Sequence, residues 1–477
     1  MPSDVSIPTG HASSGVDPTM LLQQEQLHEQ QDFVRGLKDR HIQLIALGGA
    51  IGVGLFLGSA KAIQSTGPGI LLAYAIGGLM IFFIARALGE LLLYRPVAGS
   101  FATYAEEFIG PWAGFVTGWS YWFLWVVVGI AEITAVGIYV QYWFPAVPQW
   151  IPGLITLMTL FGINLIAVKV FGEFEFWFAL IKVVTIVALI ALGIFILVFG
   201  FGEMGASASI TNLWAHGGFL PHGLTGVILA LPIATFAFGG VELIGITAGE
   251  AENPERTLPH AINQVINRIL IFYVGALAVI MSLVAWNQLS PSASPFVMVF
   301  DHIGIPAAAG IINFVVITAA ASACNSGIFS TGRMLYTLAQ FKQAPRVFGR
   351  VSRRHVPAAG ITASVALMLV GVLLNYLMPG EVFGYVISVV LVVQLWTWAM
   401  IVLAHIGYRK AVRAGRARAV SFRMPGAPYT NWLVLGFLLL VAVLLGFDDG
   451  TRVALFVAPV WFAILAVGYL ASRRSAS

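Results

Sequence analysis

The sequence predicts an all-α polytopic membrane protein with twelve transmembrane helices. Three observations carry that reading. Charge is scarce: 25 Lys+Arg and 21 Asp+Glu make up 10% of 477 residues, while apolar residues reach 59%. A soluble domain carries about 25% charged residues, so this chain could not solvate the surface of two or three soluble domains. Second, twelve apolar runs are each long enough to cross a bilayer core of about 30 Å, which needs roughly 20 residues of helix. Third, when those runs are threaded, the basic residues gather on one side.

The runs fall at 41–62, 68–93, 112–142, 150–168, 174–200, 223–247, 266–286, 306–338, 358–378, 381–407, 430–446 and 452–471. The third and eighth are long enough to tilt strongly or to leave the bilayer. Residues 1–34 precede them, rich in Ser, Gln, Glu and Pro, without the basic and apolar regions of a signal peptide. They read as a disordered cytoplasmic tail. A transport core at 35–407 follows, then a basic cytoplasmic loop at 408–429, the last two helices at 430–471 and a short tail at 472–477. With the N-terminus inside, 20 of the 25 basic residues lie on the cytoplasmic side and only Lys61 and Arg452 lie outside. Arg86, Lys182 and Arg333 fall within or at the ends of spans. One miscounted span would reverse every later loop, so the split supports both the count and the placing of both termini in the cytoplasm. Trp143, Trp150, Trp214 and Trp286 sit near the outer interface, as an aromatic belt does.

Two spans are interrupted by glycine. The first carries Gly48-Gly49-Ala50-Ile51-Gly52-Val53-Gly54, and the sixth carries Phe236-Ala237-Phe238-Gly239-Gly240-Val241-Glu242. Each helix-interior glycine costs about 1 kcal/mol relative to alanine. Unwound backbone in a membrane is tolerated only in a cavity or buried in protein. Close helix packing is the competing explanation. The breaks lie five spans apart, however, which is the spacing of two inverted five-helix repeats with a binding site between them. Freed N–H groups suit a carboxylate and freed C=O groups suit an ammonium, so the paired breaks suit an α-amino acid. The expected binding backbone is Ala50, Ile51, Gly52, Val53 and Gly54 with Phe236, Ala237 and Gly239.

The string Arg40-His41-Ile42-Gln43-Leu44-Ile45-Ala46-Leu47-Gly48-Gly49-Ala50-Ile51-Gly52-Val53-Gly54 resembles the opening of bacterial amino acid permeases. So do Arg86-Ala87-Leu88-Gly89-Glu90, Gly110-Pro111-Trp112-Ala113-Gly114, Val170-Phe171-Gly172-Glu173-Phe174-Glu175-Phe176-Trp177-Phe178 and Gly245-Ile246-Thr247-Ala248-Gly249-Glu250. These permeases form the amino acid transporter family of the amino acid–polyamine–organocation superfamily, and the likeness extends over about residues 35–470. It implies a LeuT-like fold: spans one to five and six to ten as inverted repeats, spans one and six broken, spans eleven and twelve outside. It also implies amino acid import at the bacterial inner membrane by proton symport and alternating access. Threonine, serine, alanine, glycine and D-serine permeases look nearest, with proline and histidine permeases close.

Two acid–base residues violate the apolar rule. Lys182 lies deep in span five, where a charge costs a few kcal/mol and is a functional candidate. A lysine that exchanges its proton can act as a carrier; the competing role is a structural lysine reaching an interface. The resemblance places it where related permeases use a lysine for proton coupling. Glu132 in span three is a relay acid or a paired structural carboxylate. Glu242 caps the second break or joins the proton route. The resemblance makes Phe236 a substrate-covering gate, although 33 phenylalanines make ordinary packing an alternative. Trp119, Tyr121 and Trp125 face the same ambiguity, and Ser322 and Asn325 line the pocket or satisfy backbone. Arg86 and Glu90, four apart, can meet on one helix face; with Glu250 they form a cytoplasmic brace or gate.

Neither a metal-ligand pair of the His-Glu-x-x-His type nor a P-loop is present, and the single cysteine, Cys324, excludes an intrachain disulfide. An enzyme, a nucleic-acid partner and a metal or organic cofactor are therefore not expected. The expected partners are an amino acid and lipid, with the chain a monomer or weak homodimer. The coupling ion is a proton, with sodium symport or uncoupled exchange as alternatives. Proline, histidine and aromatic substrates compete with small neutral ones.

Overall fold

A computed structural model describes residues 51–97, 99–166, 168–200, 207–248, 253–290, 294–302, 306–447 and 451–476. No strand occurs among them. The tail 1–34, Gly48, Gly49, Ala50 and Glu250 lie outside the described residues.

A π-helical turn, Gly54–Gly58, leads into α1 (Ser59–Thr66). Gly67 then adopts φ +63° and Pro68 follows in a 3-10 turn, so the 41-residue apolar stretch Gly54–Tyr94 is two helices. A Cβ at Gly67 would run into the Pro221 ring, so only glycine serves at this turn. The chain continues as α2 (Ile70–Tyr94), α3 (Ser100–Phe108), α4 (Pro111–Val140), α5 (Trp150–Asn164) and α6 (Val168–Phe199). Then come α7 (Gly223–Phe236), α8 (Leu243–Thr247) and α9 (Pro254–Arg268), which runs through a π-helical stretch, Ile269–Gly275, into α10 (Ala276–Leu283). The last elements are α11 (Pro295–His302), α12 (Pro306–Gln340), α13 (Ala358–Leu377), α14 (Val382–Arg413), α15 (Tyr429–Leu444) and α16 (Val453–Ala476).

Among the described residues, eight helical runs are long and apolar enough to cross a membrane, and α5, α7 and α15 are shorter apolar helices. The protein is a multi-pass, all-helical membrane protein. Helix α4 packs most heavily against α12 and α14, placing spans three, eight and ten at the centre. Helix α16 instead turns Phe456, Val460, Ile464 and Val467 outward, an apolar surface that suits lipid.

Some boundaries depart from the sequence reading. Helix α9 begins twelve residues before the expected start of span seven, because its first four turns are amphipathic and lack an apolar run. Helix α14 continues to Arg413, into the expected loop, and places Lys410 and Arg413 in its last turn, where the helix dipole favours cations. Helix α16 likewise runs to Ala476, through the expected C-terminal tail. The short helices α3 and α11 were not anticipated; α3 follows α2 and α11 follows α10.

Candidate functional site

At the first break the helical hydrogen-bond pattern skips the Ile51 carbonyl. Leu55 N–H donates to Gly52 O (3.2 Å) rather than to Ile51 O. Ile51 O is taken instead by Lys182 Nζ of α6 at 3.2 Å. The second break is a run of tight turns: Phe238, Gly239, Val241 and Leu243 each donate three residues back, and Gly240 sits at φ +95°. Pro232 inside α7 has no N–H to donate. Carbonyls here also accept side-chain donors, Thr235 O from Gln394 Nε2 (3.0 Å) and Ala237 O from Tyr273 Oη (2.8 Å).

The two breaks touch. A Cβ on Gly54 would lie 2.8 Å from Ala237 Cα and 3.1 Å from the Phe236 ring. Beside this contact lies a small cavity of about 40 Å³, lined by Gly52, Gly54, Leu124, Trp125, Val128, Glu132, Phe236, Ala237, Gly239, Gly240, Glu242, Ala323, Val390 and Gln394. The Trp125 indole meets Tyr121, and two carboxylate oxygens of the lining residues, Glu132 Oε2 and Glu242 Oε1, are buried with no hydrogen-bond partner. Such atoms are costly unless something polar meets them. Glu132 lies against the first break, its Oε1 3.0 Å from where a Gly52 Cβ would stand. Glu242 accepts from Trp398 Nε1 at 3.1 Å through its other oxygen.

Behind the cavity wall is a polar cluster. Lys182, fully buried, donates to Ser322 Oγ at 2.9 Å as well as to Ile51 O. Ser322 donates to Glu175 Oε1 at 2.5 Å, Asn325 Nδ2 lies 3.5 Å from Glu175 Oε2, and Asn164 Nδ2 donates to Asn325 Oδ1 at 2.8 Å. Lys182 interacts electrostatically with both Glu175 and Glu132. Its ammonium thus stands between a cavity carboxylate and a buried one, tied to the unwound backbone.

The expected residues therefore divide. Gly52, Gly54, Phe236, Ala237, Gly239, Glu132 and Glu242 line the cavity. Ile51 and Val53 are buried beside it, and Ile51 acts through its carbonyl. Ser322 and Asn325 belong to the cluster behind. Trp119 does not line the cavity: it donates to Gln343 O at 3.2 Å and packs edge-on against Trp122. Trp125, six residues along the same helix, takes the expected aromatic position. Glu175, Gln394 and Trp398 were not anticipated. Glu175 is seven residues from Lys182, two turns along one helix face; that spacing was its signal.

Arg86 and Glu90 do not meet as their spacing allowed. Arg86 reaches Asn263 Oδ1 (2.7 Å) and Arg423 O and covers the Phe422 ring. Glu90, 1% exposed, accepts from Arg409 Nη1 (2.8 Å) and the Met424 N–H (2.8 Å) and bonds His405 Nε2 (2.9 Å). His405 Nδ1 in turn bonds Asn431 Nδ2 at 2.9 Å. One acid joins α2, α14, the 414–428 loop and, through His405, α15.

Comparison with known proteins places this architecture. A family profile described as "Amino acid permease" matches residues 41–476. The chain is 53% identical to "Uncharacterized amino acid permease YtnA" of Bacillus subtilis (strain 168) over 441 residues, 92% of this chain and 95% of that protein. It is 53% identical to "Probable threonine/serine transporter YbxG" of the same organism over 438 residues, again 92% and 95%. It is 48% identical to "Aromatic amino acid transport protein AroP" of Escherichia coli O6:H1 over 444 residues, 93% and 96%. The chain belongs to the amino acid permease family: it is a membrane transporter of amino acids, not an enzyme.

Proposed function

We propose that the protein is a proton-coupled symporter that imports a small neutral amino acid across the bacterial inner membrane by alternating access. In this reading twelve spans form a LeuT-like pair of inverted five-helix repeats plus two outer helices, with both termini cytoplasmic. The short helices α3 and α11, five spans apart like the two breaks, support the repeat. The observation that carries the transport site is the cavity between the breaks, whose lining residues include two buried acids with unpartnered oxygens, Glu132 and Glu242. The substrate carboxylate takes N–H groups freed at the first break, and its ammonium takes freed carbonyls and the acids Glu132 or Glu242. Phe236 closes over it. Lys182 links proton load to shape, because the group that exchanges the proton also holds Ile51 O. Glu132 passes the proton between cavity and lysine.

The likeness to the threonine/serine transporter favours a small substrate. The similarity to AroP favours a second reading, an aromatic one. Proteoliposomes with imposed pH or sodium gradients, offered all amino acids in both enantiomers, separate these. An inward acid gradient is expected to drive threonine, serine, alanine or glycine accumulation, and Lys182→Ala to abolish the gradient's effect. Uptake that ignores the proton gradient, or follows sodium, overturns the coupling. Selective uptake of tryptophan, tyrosine and phenylalanine overturns the small-substrate reading.

A further inference from the structure

Helix α9 and its continuation change character at one residue. The stretch Pro254–Arg268 is amphipathic and rich in polar side chains, and from Ile269 the sequence Ile-Leu-Ile-Phe-Tyr-Val-Gly begins the apolar part of the span. Arg268 therefore stands where a membrane helix passes from headgroup to hydrocarbon. It is 8% exposed, and its Nε and Nη1 are buried without a hydrogen-bond partner. A guanidinium with two unbonded nitrogens at that depth is costly. The backbone next to it is also irregular: the π-helical stretch Ile269–Gly275 starts at the following residue, and such insertions recur at functional sites.

Arg268 lines a groove of about 280 Å³ together with His260, Gln264, Asn267, Ile271 and Phe272. The groove shares no residue with the cavity between the broken segments. Its described lining contains no acid. From His260 to Phe272 it extends about 18 Å along the helix at 1.5 Å per residue, polar at one end and apolar at the other. Leu270 and Ile271 beside the apolar end are 53% and 47% exposed. A ligand that fits must present an oxyanion to the guanidinium fork and an alkyl chain to the exposed leucine and isoleucine.

We propose that this groove binds an anionic phospholipid, its phosphate on Arg268 and its glycerol or headgroup hydroxyls on His260, Gln264 and Asn267. The guanidinium meets a phosphate with two parallel N–H bonds. The first acyl carbons run along Ile271 and Phe272 into the bilayer. This site is distinct from the exposed basic segments at 346–354 and 409–423, which offer diffuse attraction to any anionic surface.

The test titrates purified full-length protein with phosphatidylglycerol and, separately, with phosphatidylcholine of the same chains, reading retained lipid by native mass spectrometry and stability by melting temperature. Wild type is expected to retain phosphatidylglycerol with about tenfold preference, and Arg268→Gln to lose that preference. Equal retention of the two lipids, or a preference unchanged by Arg268→Gln, overturns the site. Inorganic phosphate is the third arm: if it alone reproduces the stabilisation, the groove takes a free oxyanion and the lipid assignment fails. Should Arg268→Gln not fold, the Gln264→Leu/Asn267→Leu double variant keeps the buried charge and must lower retention severalfold; unchanged retention there overturns the headgroup contacts.

Discussion

At Gly54 the space for a side chain is already occupied by backbone. Its missing Cβ would stand 2.8 Å from Ala237 Cα, closer than a real Cβ tolerates, and the obstacle is main chain rather than a flexible side-chain end. Gly54→Val is therefore expected to reduce amino acid uptake by more than tenfold while the protein still inserts and purifies, measured by transport in proteoliposomes against protein content. Glu175→Gln keeps the acceptor for Ser322 but removes the charge facing Lys182. It should weaken the response of uptake to a pH gradient more than it weakens counterflow exchange of substrate at equal pH. Equal loss in both assays would make Glu175 a packing residue. Lys182 and Glu132 were legible in the sequence because a charge in an apolar run stands out. Glu175 was not, because it sits beside Glu173 near the start of its run, where a charge reads as interfacial. Trp119 and Trp125 could not be told apart by type, since aromatic residues are 12% of the chain and helical spacing alone does not say which one meets a cavity.

Among elements, hydropathy located the apolar middles and missed the polar ends. Helix α9 starts early and α14 ends late because an amphipathic or basic turn extends a helix without extending its apolar run. The short helices α3 and α11 carry too few residues to register as spans. Their roles depend on tertiary contact: α3 packs against α4 and α14. The Glu90 cluster was half legible. An acid four residues from Arg86 suggested a local pair, yet its partners come from 315, 319 and 334 residues away. Sequence spacing cannot report such contacts. Glu90→Ala strands a buried histidine, an arginine and a backbone N–H at once, and is expected to cost about 3 kcal/mol. The melting temperature in detergent should fall by several degrees, while Arg86→Ala, with its more exposed bonds, should cost less.

For the whole molecule, the scarcity of charge and the long apolar runs made the all-helical, multi-pass fold legible. Topology can be tested with the protein's own background in hand, because Cys324 is fully buried and should stay silent to an impermeant thiol reagent. Asn287→Cys and Arg353→Cys introduce thiols at exposed positions on either side of α12. Intact cells should label the first, and only inverted vesicles the second; the reverse pattern would invert the proposed orientation. The unwound centre and the Glu90 cluster also divide the molecule mechanically. The cluster fastens α2, α14, α15 and the loop between the last two into one stiff frame at one end. The bonds holding the broken segments are few, and several of them are to single side chains. Rearrangement should thus be confined to the centre while the frame stays rigid. Heat that slows or stops transport by disturbing the centre can then act well below the temperature at which the frame itself melts.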